Sequence, residues 1–97
     1  MILHTLSAAP DTPAFQHCLA QLQAADALLL MGNGVYAALV GAPAGQALGK
    51  ACANLYVLDD DARTAGVAAQ LGAGVTPVDF DGFVALSERY QRQIAWY

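Results

Sequence analysis

Short apolar runs alternate along the chain with stretches in which apolar residues recur at helical spacing, and this alternation predicts the architecture. "ILHTL" at Ile2–Leu6 reads as a first strand. "DTP" then opens a helix: Asp11 or Thr12 can cap it, and Pro13 suits the first helical position. Phe15, Cys18, Leu19 and Leu22 follow at i, i+3, i+4 and i+7, one apolar face with Cys18 on its flank. "ALLLM" from Ala27 has no polar alternation, as expected of a strand covered on both faces. "VYAALV" fits a short helix or a turn and strand equally, and "GAPAG" fits a loop. "QALGKAC" predicts a weak helix, "NLYVL" a third buried strand, and "DDDARTAGVAAQLG" a further short helix. "VTPVDF" is a fourth strand, expected at or near an edge because Pro77 lacks a ladder donor. "DGFVALSERYQRQ" predicts the last helix, capped by Asp79 or Asp81, with Phe83, Leu86 and Tyr90 on its buried face. The tail "QIAWY" follows it.

Strands alternating with helices imply parallel βαβ units. The expected fold is a three-layer, flavodoxin-like α/β domain with a mostly parallel sheet of four to five strands. Sites are then expected at the carboxyl ends of the strands. The 97 residues fit one domain spanning the whole chain.

Composition adds a demand for partners. Apolar residues make up 57% of the chain and charged residues 12%, against about 25% charged in an ordinary soluble domain. A domain this small buries only about 60–65% of its unfolded surface, so apolar surface is left over for contacts. Net charge is −4, and the cations are Lys50, Arg63, Arg89 and Arg92, with none in the first half. Tight nucleic-acid binding, which needs a cationic footprint, is not expected. No apolar run approaches the roughly 18 residues of a membrane helix, and "MILHTLSAAP" has no cationic flank of a secretory signal. Cys18 and Cys52 have no metal-ligand spacing, so a reduced, cytoplasmic setting without a metal or other cofactor is expected.

Six features are candidates for chemistry or contact. Gly32-Asn33-Gly34 sits between a strand and a turn, where backbone N–H groups can cradle phosphate. It lacks the third glycine of a dinucleotide fingerprint and the Lys-Ser/Thr of a P-loop, which favours a plain turn over a small phosphate-ligand module at Gly32–Gly34. Asp59, Asp60 and Asp61 follow the third strand, but the first strand supplies no acid to complete a Mg²⁺ site, so helix capping is the simpler reading. Cys18 lies more than one turn into its helix with no cation near in sequence, which favours packing over nucleophilic chemistry. Cys52 leads into a core strand, and His4 reads as a hydrogen-bonded core histidine. Trp96 and Tyr97 can fold back on the core or anchor a partner, and the apolar excess favours the partner.

From end to end the chain resembles the DsrH/TusB family. The matching pieces are "LHT" at Leu3–Thr5, "D-A-LLL" at Asp26–Leu30, "GVYAA" at Gly34–Ala38, "LYVL" with Asp61 and Gly66, "VDF--FV-L" through Val78–Leu86, and "Q-I-AW" at Gln93–Trp96. One departure is Ala65, where the family tends to carry arginine; Arg63 lies two positions earlier. The resemblance implies a DsrE-like fold shared with two paralogous subunits of the DsrE/DsrF or TusD/TusC kind, and assembly with them as a heterohexamer, two of each. It implies a persulfide relay that ends on the wobble uridine of tRNA or, in the alternative branch, serves dissimilatory sulfur oxidation. The main persulfide cysteine then belongs to a sister subunit, and this chain is mainly structural rather than an enzyme alone. Some members carry a cysteine matching Cys18, which keeps Cys18 as a candidate persulfide carrier. The same resemblance gives "GNGVYAAL" a structural role and makes Val35 and Tyr36, with Trp96 and Tyr97, the candidate interface residues.

Overall fold

The computed structural model describes all 97 residues. Five strands form one all-parallel sheet: β1 (Ile2–Leu6), β2 (Ala27–Leu30), β3 (Asn54–Leu58), β4 (Val75–Val78) and β5 (Arg92–Trp96). Four helices connect them: α1 (Pro13–Gln21), α2 (Pro43–Ala51), α3 (Asp59–Thr64) and α4 (Phe80–Arg89). The sheet order is β4-β3-β2-β1-β5. The chain therefore steps in one direction from β1 to β4, then crosses the sheet once to lay β5 beside β1.

That path decides the layers, because parallel crossovers are right-handed. Steps in one direction put their helices on one face; the return step puts its helix on the other. The larger core accordingly joins Phe15 and Cys18 of α1, Leu48 of α2 and Ala62 of α3 to Leu6, Leu28, Leu30 and Val57 of the sheet. The smaller one joins Leu86 and Tyr90 of α4 to Leu3, Ala27 and Leu29. β2 lies at the centre with all four residues buried, which accounts for its unbroken apolar run. β4 with Pro77 lies at an edge, as its missing N–H requires.

Local signals place the helix starts. The Thr12 hydroxyl accepts from the Phe15 N–H, with Pro13 next to it, and Asp79 accepts from the Gly82 N–H at 2.7 Å. The structure corrects the sequence reading in four places. The ambiguous "VYAALV" lies in a 3₁₀ segment, Gly32–Ala38, that ends before Val40. α2 begins at Pro43 inside the supposed loop. α3 stops at Thr64, its last turn closed by N–H groups of Ala65 and Gly66 on the carbonyls of Asp61 and Arg63, and a separate 3₁₀ turn follows at Ala68–Gln70. Finally, α4 ends at Arg89, and Arg92–Trp96 is a strand rather than helix and tail. The open side of β1 needed a hydrogen-bonding partner, and that tertiary demand overrode the weak helical pattern.

Candidate functional site

A buried polar chain crosses the sheet from the amino end of β2, through the middle of β1, to Trp96 at the carboxyl end of β5. Asp26, immediately before β2, is nearly fully buried and is the acceptor on which three donors converge. The Ile2 N–H donates to Oδ1 at 2.9 Å, and the Gln23 N–H donates to Oδ2 at 3.1 Å. His4 Nε2 lies 3.0 Å from the same Oδ2. Trp96 Nε1 lies 3.1 Å from His4 Nδ1, with the two ring planes only 15° from parallel. Indole N–H can only donate. Nδ1 therefore accepts, the His4 proton sits on Nε2, and it is donated to Asp26. The Asp26 carbonyl accepts from the Cys52 thiol at 2.8 Å and from the Asn54 amide at 3.2 Å. No buried side-chain polar atom lacks a partner. The arrangement ties the first strand, the central strand and the last strand together; the core histidine expected from the sequence is there, with partners the sequence did not reveal.

Burial pushes the Asp26 carboxyl up, but the donors from His4, Gln23 and Ile2 outweigh it and hold the group below the ordinary carboxylate range. Folding is thus favoured while this group is ionised. Its contribution is whole above the unfolded value of about 3.9 and is lost as pH falls through the lower folded value. Denaturant midpoints measured from pH 6 downward should fall below about pH 4, and Asp26→Asn should flatten that part of the profile.

Both thiols are buried and free. Cys18 lies inside the larger core, fully enclosed, rather than on its flank. Burial, with a smaller contribution from neighbouring Cys52, pushes its thiol up to about 12. At neutral pH about one molecule in 10⁵ would carry the thiolate that sulfur chemistry requires. The Cys52 thiol is also raised, chiefly by burial.

The glycine turn sits at the carboxyl end of β2. Two of its three N–H groups already have acceptors: Gly32 donates to Asp61 Oδ2 at 2.8 Å, and Gly34 donates to the Met31 carbonyl at 2.9 Å. A carboxylate thus stands where a phosphate would have to come. Asp61 serves this turn and Asp59 pairs with Arg63, while no side chain caps α3, so the three aspartates are not the capping group the sequence suggested. No set of three His, Cys, Asp or Glu side chains converges as a metal site. A cavity of about 320 Å³, lined by small residues such as Ala42, Gly45, Gly49 and Gly72, opens beside α2.

The candidate interface residues separate. Val35 is fully buried in the chain's own core and presents no surface, which corrects its place among them. Tyr36 is 41% exposed and Tyr97 is 86% exposed. Trp96 is partly buried by its contact with His4. Among the exposed apolar residues that the sequence did not single out, Phe80 and Val84 share the outer side of α4 at i, i+4 spacing.

Comparison with known proteins gives these features a relative. The sequence profile of the family described as DsrH like protein matches residues 8–93. Protein TusB of Erwinia tasmaniensis is 40% identical over 95 residues, covering 98% of this chain and all of that protein. Protein TusB of Sodalis glossinidius is 36% identical over the same shares of both chains. The solution structure of protein Tm0979 from Thermotoga maritima matches with a TM-score of 0.68 over 92% of this chain and 93% of that one, at 24% identity, and so supports the fold. No helix is long and apolar enough to cross a membrane. With a matching profile over nearly all its length and full-length relatives above 30% identity, the chain belongs to the DsrH/TusB family.

Proposed function

We propose that this chain is a scaffolding subunit of a sulfur relay. Its partners are two paralogous subunits of the DsrE/DsrF or TusD/TusC kind, and the assembly passes persulfide sulfur towards 2-thiolation of the tRNA wobble uridine. The observation that carries the accessory role is the state of the two thiols: both are enclosed, and Cys18 is held as the neutral thiol. A persulfide carrier must expose an ionised sulfur to donor and acceptor in turn. Neither thiol meets that requirement, so the sulfur is carried by a sister subunit. The low count of cations fits a protein that does not itself grip tRNA.

The test is co-expression with the two paralogs, exposure of the purified assembly to a persulfide donor, and mass spectrometry of each subunit. The extra sulfur is expected on a partner and not on this chain. Cys18→Ser should leave transfer unchanged while lowering stability by about 1–3 kcal/mol, because the buried hydroxyl has no ready partner. Extra sulfur on this chain that disappears in Cys18→Ser would overturn the accessory role and favour a carrier subunit of the sulfur-oxidation type.

A further inference from the structure

The two edges of the sheet differ in how they are protected. β4 carries Pro77, which blunts its edge. β5 has no proline and no lysine, runs in unbroken register along β1, and leaves Arg92–Ala95 exposed. The Ser7 N–H donates to the Trp96 carbonyl, which fixes the direction of every backbone group in the strand. Arg92, Ile94 and Trp96 aim theirs at β1, so Gln93 and Ala95 aim N–H and C=O outward. Such an edge is a template for another strand.

We propose that this edge pairs with β5 of a second copy of the chain, antiparallel and centred on Ile94, joining the two sheets into one. The strand is complementary to itself in that register. Gln93 falls opposite Ala95 of the second copy, and Ala95 opposite its Gln93. These are the residues with outward groups, so each pair exchanges two hydrogen bonds. Ile94, 37% exposed in the single chain, meets its own counterpart. Arg92 falls opposite Trp96 of the second copy on the same face of the sheet, where a guanidinium can cover the indole. Centring the pair on Gln93 or Ala95 instead would leave Trp96 or Arg92 opposite residues beyond the strand. The contact needs only two copies of this chain, alone or inside a larger assembly, and so stands apart from the proposed function.

Cross-linking tests the register directly. At the two-fold position the Cβ atoms of Ile94→Cys would lie about 4.5–5.5 Å apart, near enough for a disulfide after small adjustment. Those of Arg92→Cys would be offset by four residues, about 13 Å along the strand. Under mild oxidation, Ile94→Cys should run as a covalent dimer on a non-reducing gel, and Arg92→Cys and the unmodified chain, whose own thiols are buried, should not. Ala95→Pro removes an outward N–H without touching the ladder to β1. It should convert a dimer to a monomer in light scattering with unchanged circular dichroism. Absence of the Ile94→Cys dimer, equal cross-linking by Arg92→Cys, or a dimer that survives in folded Ala95→Pro would each overturn the proposal. Should Ala95→Pro not fold, the comparison of the two cysteine variants decides alone.

Discussion

Replacing Asp26 by alanine is expected to cost the fold about 2–4 kcal/mol, a large share of the roughly 5–15 kcal/mol that holds a domain of this size together. The carboxylate accepts from His4 Nε2, the Ile2 N–H and the Gln23 N–H. Alanine leaves all three donors without their acceptor. The two backbone donors are near enough to solvent to recover water, but His4 is fully buried and is not. Nor can the histidine turn its proton to the other nitrogen, because Nδ1 already accepts from Trp96. Asp26→Asn should cost less, about 1–2 kcal/mol. Two donors address Oδ2 and one addresses Oδ1, so whichever way the amide is turned, at least one donor faces its NH₂. Denaturant unfolding of the three proteins at pH 7 checks the order: Ala worst, Asn intermediate, Asp most stable. Equal stability of all three would mean that the polar chain between β1, β2 and β5 contributes nothing.

Why the sequence disclosed some of this and not the rest follows from the range of the forces. The buried strands and the starts of α1 and α4 were legible, because an apolar run, a Thr-Pro start and an aspartate cap act within a few residues. Pro77 announced an edge for the same reason. β5 was not legible, since its pairing with β1 joins residues about ninety positions apart, as the His4–Trp96 contact does. Nothing in "RQIAW" states that the edge of β1 stands open. The place of Cys18 was half legible: its spacing marked an apolar face, but full enclosure depends on α2 and the sheet closing over it. The family resemblance pointed to Val35 as an interface residue, yet the 3₁₀ segment places it in the chain's own core. The link from Asp61 to Gly32 spans 29 positions, so nothing local in the sequence announced that the first N–H of the turn already has a carboxylate as its acceptor.

The second large effect is expected at Gly34, where alanine should destabilise the chain by about 2–4 kcal/mol. A Cβ placed there would collide with the carbonyl oxygen of Leu6 at the end of β1. That carbonyl cannot swing aside freely, because it accepts from the Met31 N–H at 3.0 Å. Either the 3₁₀ segment moves off the sheet, uncovering Val35 and Ala37 in the larger core, or the bond between the ends of β1 and β2 opens. Gly32→Ala makes a useful contrast. Its φ of +53° disfavours a side chain, but an added Cβ would lie 3.5 Å from the nearest atom, the Ser7 carbonyl oxygen, an ordinary contact. Only the backbone cost of about 1–2 kcal/mol should appear. In thermal melts the Gly34→Ala loss corresponds to a fall of roughly 10–25 °C for a domain of this size. Gly32→Ala should fall by about half as much or less. If the two variants melted together near the unmodified chain, the tight approach of this turn to β1 would not be the reason for its glycines.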